Sequence, residues 1–281
     1  MENEKLAKIA LNLRKNVVRM LAAAGSGHPA GTLGLADIYA AIFFAKSPEI
    51  FRENYDHFVI SNGHTVPIFY SVLREKNLIS DAEMLTLRKF GSRIQGHPER
   101  IFRGKENLPL LETTSGPLGE GLSQGAGMAY AEKNFAKNDK KVIVMLGDGE
   151  LDEGENWEAA MFAAKNHLAN LLAVVDVNKI QLSGETKNIM PLEPLAGKFA
   201  AFGWHVLQTD GNDFREILEA FAKAENEKTK PTVILAKTIP GRGVTDIEND
   251  YHWHGKAPTA EMAEKWLAEL DENFAKKGEK K

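Results

Sequence analysis

The stretch VIVMLGDGELDEGENWEAAMFAAKNHLANLLAVVDVNKIQLSG, from Val142 to Gly184, decides the fold. Two apolar runs of strand length, 142–146 and 171–177, each stop in a polar cluster: Gly147-Asp148-Gly149 and Asp176-Val177-Asn178. Between them, 154–167 has helical composition. A continuous apolar run with a helix-length connection to the next one is the signature of buried parallel strands. The reading therefore places Asp148 and Asn178 at the carboxyl ends of two adjacent strands, where ligands bind in open parallel sheets.

Working outward, Leu6, Ile9, Leu13, Val17, Met20 and Leu21 recur at helical spacing and predict an amphipathic helix over 3–24. Helices are expected at 34–46, 66–76, 81–89 and 117–137, with Pro117 in a first helical turn. A short strand is expected at 57–60. Beyond the decisive stretch, strands at 204–207 and 232–236 alternate with helices at 191–202 and 212–225, and a last helix starts near 259. The segment 91–116 has no sustained period and reads as a long functional loop. Strand–helix alternation predicts an α/β fold, a mostly parallel sheet covered by helices on both faces. With no repeat or linker in view, 1–281 reads as a single domain, with 272–281 a frayed charged tail.

Composition narrows the function. The net charge of −4 argues against nucleic acid as a general ligand. With no cysteine, disulfides, thiolate nucleophiles and Cys-ligated zinc are excluded. The opening residues carry charges throughout and no continuous apolar run, so no signal peptide is read there. Nor does any run reach the 18 or so apolar residues of a membrane span. The expectation is a soluble, cytoplasmic protein.

Asp148 and Asn178 are hard oxygen donors, and the glycines flanking Asp148 allow close backbone approach. Mg²⁺ commonly takes one or two protein carboxylates and completes its shell with phosphate and water. The pair thus suggests Mg²⁺ bridging to a diphosphate, with the Ile180 carbonyl well placed as a third protein ligand. Gly-Asp-Gly is also an ordinary turn, and the acidic run 150–155 also suits a helix dipole. On this stretch alone both readings stand. Four of the eight histidines, His28, His64, His97 and His254, sit beside Gly or Pro in expected connections. There they can converge over the strand ends, donate to phosphate and move protons near neutrality.

Taken together, SGHPA (26–30), SNGH (61–64), QGHPE (95–99), ETTSGPLGEGLSQGAGMA (112–129), GDGELDEGENWEAAMFAAK (147–165), DVNKIQLSG (176–184) and WHGKAP (253–258) resemble the amino-terminal half of transketolases, in the family's order. GDG followed some thirty residues later by Asn is common to thiamine-diphosphate enzymes; the other segments are more specific. The resemblance implies a thiamine diphosphate-binding fold, thiamine diphosphate and Mg²⁺ as cofactors, and transfer of a two-carbon ketol unit between sugar phosphates in the pentose phosphate pathway. It implies Asp148, Asn178 and the Ile180 carbonyl as metal ligands. His64, Gly149 and His254 then face the diphosphate, and Gly116 and Leu118 the aminopyrimidine. His28, His97 and His254 handle the sugar's protons, while Glu153 and Glu158 lie at a contact between subunits. A full transketolase has a second domain that binds the pyrimidine ring and most of the sugar phosphate. Its absence from this sequence leads to the expectation of a split enzyme, an α2β2 assembly in which a second chain is the C-terminal subunit. The alternatives are a ketol transferase for an unusual sugar, another thiamine-diphosphate enzyme such as a 2-oxo-acid dehydrogenase-like subunit or a deoxyxylulose-phosphate synthase, and a non-enzymatic binding module or regulatory half.

Overall fold

The computed structural model describes residues 2–46, 56–100 and 111–278. In chain order the helices are α1 (Glu2–Ala24), α2 (Pro29–Gly34), α3 (Ala36–Ala41), α4 (Pro67–Glu75), α5 (Asp81–Met84), α6 (Glu120–Ala131), α7 (Gly154–Lys165), α8 (Thr186–Ile189), α9 (Leu195–Ala201), α10 (Phe214–Asn226) and α11 (Ala260–Gly278). The strands are β1 (His57–Ile60), β2 (Val142–Gly147), β3 (Leu171–Val177), β4 (Ile180–Gln181), β5 (Gly184–Glu185), β6 (His205–Asp210) and β7 (Thr232–Lys237).

Five strands form one wholly parallel sheet in the order β1-β2-β3-β7-β6. The period-2 alternation of side chains along each strand divides the core in two. Phe58, Ile60, Ile143, Met145, Val174, Ile234 and Ala236 face α1, α3, α4, α10 and α11. Val59, Val142, Val144, Leu146, Ala173, Val175, Val233 and Leu235 face α6, α7 and α9. Both faces are therefore covered, which is why these strands are apolar throughout rather than alternating.

After β3 the chain runs out to the edge strand β6 and returns through α10 to β7, on the opposite face from α7. The direction of winding reverses between β3 and β7, so a crevice opens beyond their carboxyl ends. There Thr238 N–H donates to the Val177 carbonyl at 3.3 Å, closing the base of the crevice.

Several expected boundaries shift. The helix expected at 34–46 begins at Pro29, which sits at its first turn, and is broken into α2, α3 and a π-helical turn, Ile42–Lys46. The early start brings Gly34 so close to the chain that a Cβ there would lie 2.9 Å from the Ile239 carbonyl oxygen. The helix expected from 117 begins at Glu120. Its cap, Gly119, takes the left-handed φ of 96°, so Pro117 lies ahead of the helix rather than in its first turn. The helix expected at 81–89 keeps only the turn 81–84, capped by Ser80, and the one at 191–202 begins at Leu195. The β4–β5 hairpin and α8 were not anticipated. α11 continues to Gly278 across most of the segment expected to fray; 279–281, like 101–110 of the long loop, lie outside the described residues. No described helix is long and apolar enough to cross a membrane.

Candidate active site at the strand ends

Asp148 follows β2, and the β3–β4 turn wraps around it. Its Oδ1 accepts the Gly149 N–H at 2.8 Å and its Oδ2 accepts the Lys179 N–H at 2.7 Å. Lys179 takes a φ of 64°, which turns the chain back after Asn178. Asn178 Oδ1 accepts the Ile180 N–H at 3.0 Å, and its Nδ2 donates to Asp176 Oδ2 at 2.8 Å. Asp148 and Asn178 are thus brought together, one turn apart.

Asp176 was not singled out as a site residue. It lies at the end of β3, paired in register with Gly147, and is 1 % exposed. Its other oxygen accepts the Thr238 hydroxyl. With Asn178's amide nitrogen committed to Asp176, the orientation of its carbonyl oxygen is set. Burial pushes Asp176 up to about 6. Burial, followed by repulsion from Asp176, pushes Asp148 up to about 7. Two carboxylates in one desolvated corner are what a divalent cation relieves. A charged residue inside the apolar run LLAVVDV was the signal available in the sequence.

Glu150 was also missed. It is 2 % exposed. It accepts the Ser61 hydroxyl, the Gly119 N–H at 2.8 Å and the Gly147 N–H at 3.0 Å. Ser61 in turn accepts the Gly121 N–H at 3.0 Å. One carboxylate therefore ties the ends of β1 and β2 to the start of α6. Within the run 150–155 nothing in the sequence distinguishes it from its exposed neighbours.

The histidines converge. The rings of His28 and His64 have centroids 5.0 Å apart, His64 and His254 5.1 Å, and His28 and His254 5.7 Å. His28 precedes α2, His64 follows β1, and His254 ends a 3₁₀ turn after β7. His97 joins them from the long loop: a Cβ on Gly63 would lie 3.2 Å from its Cδ2, and one on Gly116 3.9 Å away. The cluster reaches the Asp–Asn corner through α2, since a Cβ on Gly31 would lie 3.7 Å from Asn178 Nδ2.

Burial lowers His28 to about 4, with His254, Arg88 and His97 adding repulsion. His64 is pushed well below its ordinary value by burial and then by His254 and His28. Burial also lowers His254 and His97, the latter with help from Arg88. Near pH 7 these imidazoles are neutral, each with one donor and one acceptor nitrogen. Several buried polar atoms around them have no partner among the described residues: His28 Nδ1, His254 Nδ1, both amide atoms of Asn62, Ser115 Oγ and Arg88 Nε. Buried groups of this kind are ordinarily satisfied, so the cluster is built for a polar ligand.

The remaining expected residues fall as follows. Gly116 adjoins His97; Leu118 is 40 % exposed. Gly149 N–H is occupied by Asp148 rather than free. Ile180 is buried in the hairpin. Glu153 and Glu158 are exposed on the surface around α7.

Residues 6–276 match the family described as "Transketolase, thiamine diphosphate binding domain". The chain is 38% identical over 271 residues to transketolase of Homo sapiens, covering 95% of this chain and 42% of that protein. It is 37% identical over 270 residues to an apulose-4-phosphate transketolase subunit of Phocaeicola vulgatus, covering 94% of this chain and 92% of that one. Among solved structures, transketolase from Leishmania mexicana superposes with a TM-score of 0.87 at 30% identity, over 96% of this chain and 41% of that chain. The chain thus spans less than half the length of the full-length transketolases it matches.

Proposed function

The chain belongs to the transketolase family, as its thiamine diphosphate binding domain, and from that premise we propose that it is the amino-terminal subunit of a two-chain transketolase. In this reading it moves a two-carbon ketol unit from a ketose phosphate to an aldose phosphate. It works in the cytoplasm, where charged sugar phosphates are retained, with a C-terminal subunit in an α2β2 assembly. The similarity to the Phocaeicola subunit, over nearly the whole length of that protein, supports the two-chain arrangement. The observation that carries the chemistry is the packing of neutral His28, His64 and His254 beside the Asp148–Asn178 corner.

The residues present fit the cofactor. One carboxylate, one amide oxygen and the Ile180 carbonyl form an all-oxygen set suited to Mg²⁺ carrying a diphosphate. The unpartnered atoms of Asn62, Ser115 and the histidines are donors and acceptors for the rest. Thiamine diphosphate, when bound, supplies the electron sink that ketol cleavage requires. This chain's part is orientation and proton traffic. His64, His254 and the Gly149 N–H would hold the diphosphate. Gly116 and Leu118 line the aminopyrimidine side. His28, His97 and His254 take and return protons at the sugar hydroxyls, with His97 beside the first carbon's hydroxyl. Their lowered basicity keeps them free to accept a proton at neutral pH.

The test is reconstitution. Mixed with its cognate second chain, the protein restores ketol transfer; strong activity of this chain alone, or turnover of pyruvate instead of ketoses, overturns the reading. In the assembled enzyme Asp148→Ala abolishes Mg²⁺-dependent thiamine diphosphate binding by calorimetry. His28→Ala or His254→Ala lowers turnover by about 10²–10⁴-fold with a far smaller change in cofactor affinity. The name of the Phocaeicola relative favours a second reading, an unusual sugar phosphate as substrate, which a panel of ketose donors decides.

A further inference from the structure

One imidazole grips both ends of the unit that carries Gly116 and Leu118. His57, the first residue of β1, has Nδ1 3.1 Å from Glu112 Oε1 and Nε2 2.7 Å from Glu132 Oε1. Glu112 opens the segment that runs to α6, and Glu132 directly follows that helix. All three side chains are partly buried, at 18%, 13% and 16% exposure, so water screens them little. The Glu132 carboxylate and the Glu112 backbone are each held by one further contact. The Glu112 carbonyl accepts Arg100 Nε at 3.0 Å, and Glu132 Oε2 accepts Asn138 Nδ2 at 2.5 Å.

We propose that His57 is a positioning residue which, as the imidazolium, clamps the 112–132 loop and helix onto the edge of the sheet, so that the cofactor-facing segment is held more tightly in acid than in base. Only the doubly protonated ring can donate to two carboxylates at once. The neutral ring has one N–H and must turn a lone pair toward the other glutamate. Among the described residues, Glu112 and Glu132 are the charged groups facing the ring, and Lys140 lies near Glu132. Both glutamates favour the charged imidazolium and raise its pKa against the opposing effect of burial. The sign is therefore set: the clamp is closed below that raised value and weakens as pH rises through it. The clamp itself needs no cofactor; only its consequence for thiamine diphosphate rests on the function proposed above.

Amide hydrogen exchange on the full chain tests the clamp directly. Protection of amides in 112–125 is compared at about pH 6 and about pH 9, corrected for intrinsic exchange and referenced to β3. In the wild type, protection of this segment falls about tenfold more than that of β3. His57→Arg, a permanent cation with several donors, stays protected at both pH values. His57→Gln is weakly protected at both. A wild-type segment that tracks β3, or a Gln variant with the wild-type pH response, overturns the proposal. Should His57→Gln fail to fold, the wild-type and Arg arms still decide it. Calorimetric titration of the complex reconstituted with the second chain, with thiamine diphosphate and Mg²⁺, then reads the consequence: affinity falls with pH in the wild type and not in His57→Arg. If exchange shows the clamp while no titration detects binding, the cofactor reading fails and the clamp stands.

Discussion

At the scale of single residues, the site opposes two kinds of buried titratable group. His28 is lowered to about 4. Between that value and the ordinary 6.5 the unfolded chain binds more protons, so this contribution to stability is present above pH 6.5 and lost as pH falls. Asp148 and Asp176, raised from 3.8 to about 7 and about 6, do the reverse: the folded protein holds their protons, and stability is lost as pH rises from the ordinary carboxylate value toward the raised ones, a range that overlaps the histidine's. The two effects partly cancel in the wild-type curve, so the histidine is isolated by difference. His28→Asn is expected to gain thermal stability relative to wild type as pH drops from 6.5 toward the lowered value, measured by calorimetric melting. A constant difference between the two proteins across that range contradicts the assignment. The positions of Asp148, Asn178 and the four loop histidines were legible in the sequence because they fall in connections between elements, most of them beside Gly or Pro. Asp176 and Glu150 were not singled out, since their importance lies in what they accept: an amide, a hydroxyl and backbone N–H groups distant along the chain.

At the scale of elements, α6 is seated by glycine. A Cβ on Gly125 would overlap the Val144 side chain and lie 3.6 Å from Leu171 Cδ1 and Val142 Cγ1. The helix therefore approaches β2 closer than any side chain allows. Gly125→Ala is expected to lose about 1–3 kcal/mol by overpacking. Gly127 lies on the same helix, and a Cβ added to it would meet no atom within 4 Å. Gly127→Ala is therefore expected to gain roughly 0.5–1 kcal/mol from helix propensity. Urea unfolding of the pair checks this; equal signs would show that the helix can slide off the sheet without cost. The strand and helix types were readable from period and length, whereas the ends of the elements were less so. Gly119, held in its left-handed turn with its N–H on Glu150, delays α6 past Pro117. That is a tertiary bond overriding a local preference.

At the scale of the whole molecule, Glu153 and Glu158 are exposed near the start of α7, where the proposed assembly places a contact between subunits. Replacing both with Ala is expected to leave the melting temperature of the isolated chain within about 2 °C, while sedimentation velocity shows a weakened complex with the second chain. A large loss of stability, or unchanged assembly, would remove them from the interface. The sequence by itself determined the layering, because strands apolar on both faces and separated by helices have no other way to bury themselves. It also put oxygen donors at two strand ends and histidines in the connections. Only the tertiary structure decided which of those groups meet. The convergence of His28, His64 and His254, the Asp176–Asn178 bond and the grip of His57 on Glu112 and Glu132 join residues far apart along the chain or set by side-chain direction. Those distances depend on how the sheet twists and where loops return, quantities that no local pattern of residues encodes.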